Sequence, residues 1–198
     1  MPLRVAGRHP CRNSRLMVAE PPTDQDLAVM RRQLGRAMRD VVAVAHRCPC
    51  GAPDVVTTRP RLSDGTPFPT LYYLTCPRAN SAIGTLEASG EMRRMQERLE
   101  QEPQLAQDYR AAHERYLAER SAIDDVAEIA GTSAGGMPDR VKCLHVLAAQ
   151  SLAQGPGVNP LGDEVVAAIS PWWEGARCAD VGESQSAADP SDGLGEPA

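Results

Sequence analysis

The sequence predicts an α+β fold, helix-rich overall, in which a small three-stranded sheet is covered by several helices. Three short β-branched or aromatic runs crowd into residues 41–75, and from Pro77 onward the apolar residues recur at helical spacing. A length of 198 residues, 42% hydrophobic and 24% charged, suits one domain able to bury a core. That domain is expected over residues 23–178. Residues 1–22 have no apolar period and read as a disordered extension, within which Met17 is an alternative start. Residues 179–198 are rich in Ser, Asp, Gly and Pro and read as a disordered acidic tail, because they hold too little apolar surface to offset the entropy of ordering.

Within the domain, Thr23 is suited to cap a helix from Asp24 to Leu34, with acids in the first turn, Arg31 and Arg32 near the end and Gly35 as the stop. Val41–Ala45, Val55–Thr58 and Thr70–Thr75 are the three expected strands, each bounded by Pro, Gly or Asp. Asp64-Gly65 marks a tight turn between the last two. Phe68, the chain's one Phe, stands between two prolines and is expected to anchor into the core.

Ile83, Leu86, Met92, Met95 and Leu99 keep helix spacing, interrupted at Gly90 and Pro103. The longest helix is expected from Gln104 to about Ala130, with His113 and Tyr116 as packing residues. GTSAGG reads as a plain Gly-rich loop, and VKCLHVLAAQSLAQ as a helix apolar nearly all round, ended by Gly155 and packed on two sides. After GPGVNPLGDE a short helix should run through Ile169, with Pro171-Trp172-Trp173 packing on the outside of the core.

The net charge of −5 divides unevenly, because residues 1–17 carry only arginines and the stretch from Asp180 only acids. The balanced remainder lacks the clustered basic face of a nucleic-acid binder. No stretch reaches the roughly 18–20 apolar residues of a membrane span, and the start lacks a secretory apolar run, so the expectation is a cytoplasmic protein. The basic residues are 20 Arg and a single Lys, Lys142, a bias expected of a GC-rich bacterial genome. A lysine retained against it suits a site needing a compact charge or an adjustable pKa.

Six cysteines in a cytoplasmic chain point to metal binding, thiol chemistry or plain burial rather than structural disulfides. Four fall at element boundaries: Cys48 and Cys50 in HRCPCG, Cys76 before Pro77, and Cys143 at the start of the apolar helix. Element ends at one sheet edge are where functional loops gather. Pro77 suits the first helical position, which puts Cys76 at the N-cap, where free N–H groups and the helix dipole favour a thiolate. On a regular helix Cys143 and His145 would point about 200° apart, so they share an ion only if the helix starts after Cys143. Otherwise Lys142 and His145, three apart, are the pair that shares a face.

HRCPCGAPDVV, DGTPFPTLYYLTCP, LEASG, VKCLHVLAA and GVNPLGDE, in that order over roughly residues 24–170, resemble the bacterial family known as domain of unknown function 501. The resemblance implies that Cys48, Cys76, Cys143 and His145 are signature positions and that Cys50 is replaceable. It also implies a genomic setting beside a septum-initiator membrane protein, enolase and an exopolyphosphatase, hence a cell-division context, and brings no activity.

Three readings follow. In the first, Cys48, Cys76 and Cys143, with His145 or Cys50, hold zinc or an iron–sulfur cluster. In the second, Cys76 is the nucleophile of a thiol-dependent enzyme, with Lys142 and His145 supplying charge and proton transfer. In the third, the cysteines are packing residues of a non-catalytic module that contacts a protein partner. Nucleotide-binding glycine loops and HExxH are absent.

Overall fold

The computed structural model describes residues 20–174 and Cys178. The expected tail, and the expected extension apart from residues 20–22, lie outside the described residues. Among the described residues, three strands, β1 (Val41–Arg47), β2 (Pro53–Thr58) and β3 (Tyr72–Leu74), form one antiparallel sheet in the order β1-β2-β3. Six α-helices of the same residues surround it: α1 (Asp24–Leu34), α2 (Pro77–Ala88), α3 (Glu91–Gln101), α4 (Pro103–Ser121), α5 (Leu144–Gln154) and α6 (Pro160–Ile169). The fold is α+β and helix-rich, as the sequence predicts. Among the described residues, no helix is long and apolar enough to cross a membrane.

β2 is buried along its whole length because both faces of the sheet are covered. Its side chains alternate accordingly. Val56 packs with Val44 and with Met30 of α1, whereas Val55 joins Ala45, Leu74 and the large core contributed by α2–α6. α1 is held by a capping box, in which the Thr23 hydroxyl accepts from the Asp26 N–H at 3.1 Å and the Asp26 carboxylate accepts from the Thr23 N–H at 3.0 Å. The same carboxylate takes both ends of the Arg47 guanidinium, at 2.7 and 3.0 Å, and so ties α1 to the exit of β1. That contact, aided by Thr23, holds the Asp26 carboxyl well below the usual carboxylate range.

α5 occupies the centre, touching all three strands as well as α2 and α6. It lies closest to α6, where Gly162 permits the approach: a Cβ there would stand 2.2 Å from the Leu147 carbonyl oxygen and 2.4 Å from the Ser151 hydroxyl. The polar groups on α5 are paired inside the core. Gln150 donates to the Ala112 carbonyl at 2.9 Å and accepts from Asn159 at 2.9 Å, while Ser151 donates to the Asn159 carbonyl at 3.1 Å.

Four expectations need correction. The long helix begins at Pro103 and stops at Ser121, not near Ala130. Arg120, only 2% exposed, donates to the carbonyls of Pro69, Ile129 and Thr132, so the chain after Ser121 folds back around its guanidinium. The apolar helix starts at Leu144, with Cys143 extended at its N-cap (φ −154°, ψ 112°), rather than at Val141. Trp172 is buried within the main core instead of lying outside it. Phe68 is half-buried and belongs to neither core cluster, because its N–H pairs with the Pro60 carbonyl and holds the residue in the loop.

Replacing Phe68 by Ala should therefore cost about 1 kcal/mol, short of the roughly 3 kcal/mol of a core aromatic, as read from denaturant midpoints. Asp26→Asn should destabilise by about 2 kcal/mol at neutral pH through loss of its charge-assisted bonds. The folded pKa is depressed, so this contribution is fully present above the unfolded value of about 3.9 and disappears as pH falls through the folded value. Melting curves of the two proteins should accordingly converge in acid.

Candidate metal centre

The antiparallel meander makes the exits of β1 and β3 both neighbours of the entry to β2. Cys48 and Cys50 lie in the turn from β1 to β2, which closes through Gly51 N–H to the Cys48 carbonyl (2.7 Å) and Cys48 N–H to the Ala52 carbonyl (2.9 Å). Gly51 takes the positive φ of 89° that this turn requires. Thr75, at the exit of β3, is pinned to the same place by its N–H on the Asp54 carbonyl (2.8 Å) and its hydroxyl on the Pro53 carbonyl (3.2 Å). Cys76 comes next, fully buried, at the N-cap of α2 with Pro77 in the first helical position.

A fourth cysteine arrives from far along the chain. Arg78, in the first turn of α2, donates to the carbonyls of Trp172 (2.7 Å) and Glu174 and holds that segment against the helix start. Cys178 is thereby brought among the other thiols, its sulfur 3.5 Å from that of Cys48. The sulfurs of Cys48, Cys50 and Cys178 all lie within 4.8 Å of one another; Cys76 stands outside that group, close enough to Cys178 for the two thiols to influence each other's charge. A group of this composition could hold a metal ion.

The protons divide unequally among these sulfurs. Cys76 is held below the ordinary thiol range by the Cys178 thiol and, despite burial, by the N–H groups of Ala79 and Arg78. Burial also opposes charge on Cys50, but the N–H groups of Cys178 and Ala52 and the Cys48 thiol draw it below that range. Burial pushes Cys48 up to about 11, and the neighbouring Cys76, with burial, pushes Cys178 higher still. Next to them Asp54 is fully buried, with Oδ1 2.7 Å from His46 Nδ1 and Oδ2 without a hydrogen-bond partner among the described residues.

Cys143 and His145 stand in a different group, together with Glu87. Because Cys143 precedes the helix, its side chain is free of helical spacing and meets His145, Sγ to Nδ1 at 3.8 Å. Burial opposes a thiolate at Cys143, yet His145 and the Val146 N–H bring it below the ordinary range. His145 is in turn pushed up to about 9, first by Cys143 and then, against burial, by Glu87. The five ligands that the sequence suggested for one site are thus divided, with Cys48, Cys50 and Cys76 at the sheet edge and Cys143 and His145 at the start of α5. Lys142 is exposed, and His145 faces Glu87 and Cys143, so the catalytic set of Cys76, Lys142 and His145 is not assembled.

Spacing in the sequence does not single out Cys178 or Glu87. The only signal for Cys178 was a cysteine at the very end of the expected domain, six residues after Trp172. Glu87 carried no signal, since a glutamate in the last turn of a helix is ordinarily solvated.

In metal-free, reduced protein, thiolate absorbance should rise in separate stages with pH. Cys50, Cys76 and Cys143 should ionise below the ordinary thiol value of about 8.5, and Cys48 and Cys178 well above it. Cys76→Ser should remove part of the early stage; a single step near the ordinary value would contradict this division.

No curated protein and no solved structure matches the chain. A family model does match, over residues 44–167, a span that holds Cys48, Cys50, Cys76, Glu87, Cys143 and His145. The chain belongs to the family described as protein of unknown function (DUF501).

Proposed function

We propose that this is a cytoplasmic metal-binding protein in which Cys48, Cys50, Cys76 and Cys178 hold one zinc ion as a closed, structural four-thiolate site. The observation that carries this reading is the spacing of the sulfurs: Cys48, Cys50 and Cys178 lie within 4.8 Å of one another, with one pair at 3.5 Å. Ligands of a single tetrahedral zinc, at about 2.3 Å from the ion, stand roughly 3.8 Å apart. An iron–sulfur cluster would spread them to roughly 6 Å or more, so the spacing favours one ion. The buried, unpartnered Oδ2 of Asp54 supports it, since a nearby cation offsets a carboxylate that otherwise opposes thiolate formation at Cys76.

The role of such an ion is a clasp. Cys48 and Cys50 come from the β1–β2 turn, Cys76 from the start of α2, and Cys178 from the segment after Trp172, so one ion crosslinks three places remote in sequence. With all four positions filled by protein sulfur, no coordination site is left for substrate, and the site stabilises the fold without catalysing a reaction.

Anaerobically purified full-length protein should be colourless and contain zinc. Cobalt(II) should give the intense visible and thiolate charge-transfer bands of a tetrahedral sulfur site. Cys178→Ser should weaken that binding by at least the 10- to 100-fold typical of lost supporting contacts and lower the melting temperature of the metal-loaded protein. Brown protein with labile sulfide, or cobalt spectra unchanged by Cys178→Ser, would overturn the proposal.

A further inference from the structure

Glu87, Cys143 and His145 meet where the last turn of α2 faces the first residues of α5. The Glu87 side chain points back toward the N-terminus of its helix, as helical side chains do. There its Oε1 accepts the Leu144 N–H at 2.7 Å and stands 3.3 Å from His145 Nδ1. The Cys143 sulfur is 3.8 Å from the same nitrogen, and the three ligand atoms all lie within 4.8 Å of one another.

Counting donors shows what this group lacks. His145 Nε2 lies 3.2 Å from the Asn80 carbonyl oxygen, which can only accept, so Nε2 carries the hydrogen. In the neutral ring Nδ1 is then a bare lone pair. It converges with a carboxylate oxygen and a sulfur, and a hydrogen on the sulfur or on Nδ1, or a metal ion between them, is what reconciles the three.

Two cations are available, a proton on Nδ1 or a metal ion. A proton makes His145 an imidazolium in the metal-free protein, and an N–H···O bond of that charge-assisted kind contracts to about 2.7–2.9 Å. The nitrogen–oxygen separation is instead 3.3 Å, and the sulfur–nitrogen separation 3.8 Å. Around one tetrahedral ion with bonds of about 2.0–2.1 Å to N and O and 2.3 Å to S, the corresponding edges are about 3.3 and 3.6 Å. The rest of the setting also suits a metal ligand. His145 is oriented by a backbone carbonyl on its far nitrogen, and Glu87 by a backbone N–H.

We infer that Glu87, Cys143 and His145 form a second metal site that takes a zinc-type divalent cation through one sulfur, one nitrogen and one oxygen. Three protein ligands leave a tetrahedral ion one position to fill. The His145 and Glu87 side chains are 29% and 23% exposed, so water reaches that position. This is the coordination of a site that binds an exchangeable water or substrate, in contrast to the closed four-thiol group at the other end of α2.

The test is a cobalt(II) titration of reduced, metal-free full-length protein alongside variants of each group. Wild type should take two ions per chain, one with the spectrum of four sulfurs and one with a weaker charge-transfer band from a single sulfur. Cys143→Ser and His145→Gln should lose the second and keep the first, whereas Cys178→Ser should do the reverse. Glu87→Gln is the folding control, because its amide oxygen can still accept the Leu144 N–H while binding metal poorly. It should melt like wild type when metal-free yet bind the second ion at least tenfold more weakly. Wild type that binds one ion, unaffected by changes at Glu87, Cys143 and His145, would overturn this inference and leave the four-thiol proposal standing. One ion lost only on Cys143→Ser would do the opposite. Rapid alkylation of Cys143 that excess cobalt(II) does not slow would also overturn it, marking the group as an imidazole-activated thiolate.

Discussion

The burial of α5 is the constraint on which the rest of this structure depends. A helix of Leu, Val and Ala with few polar side chains has no face to offer water, so every other layer is arranged to enclose it. The sheet closes one side, α6 closes another at the distance Gly162 allows, and α2 lies alongside. A buried helix also carries a cost at its ends, where backbone groups have no partner within the helix. Cys143 has no capping hydrogen bond from its side chain, and Glu87 supplies the missing acceptor from α2. The same requirement places a carboxylate beside Cys143 and His145.

Charges drawn into the core are held in two ways. Asp26 meets Arg47 in a bidentate pair at the sheet edge, partly exposed on the arginine side. Arg120 has backbone carbonyls instead, and three of these satisfy the fork geometry of a guanidinium. Burial lowers its pKa from a value so high that the group keeps its charge. Its effect is architectural, because it joins the loop after α4, through Ile129 and Thr132, to Pro69 just before β3. Tyr116, one turn earlier, adds to this anchor by accepting the Leu71 N–H at 2.6 Å.

α2 connects the two groups of candidate metal ligands. Its first turn presents Cys76 at the N-cap and Arg78, which gathers the segment leading to Cys178; its last turn presents Glu87. The thiols at one end are buried or half-buried and meet sulfur with sulfur, while the mixed group at the other end reaches solvent. Two environments so different in access and donor type, on one helix, suit different kinds of site, one closed and one open to solvent.

The sequence by itself determined what local rules decide. Thr23 and Gly35 bounded α1 because a cap and a left-handed stop are properties of a few adjacent residues. Pro77 put Cys76 at an N-cap for the same reason, and the apolar runs located all three strands to within a few residues. The short antiparallel connections also bring the Cys48 turn and the Cys76 N-cap to the same end of the sheet, where Thr75 is pinned to Pro53 and Asp54. What only the tertiary structure decided depended on long-range contacts. Cys178 joins the thiols because Arg78 captures carbonyls 94 and 96 residues away, and α4 stops at Ser121 because Arg120 bonds carbonyls beyond it. The separation of Cys143 and His145 from the other cysteines was decided by the packing of α5 on α2, which turns both side chains toward Glu87. No spacing in the sequence encodes a contact between residues that lie nearly sixty positions apart.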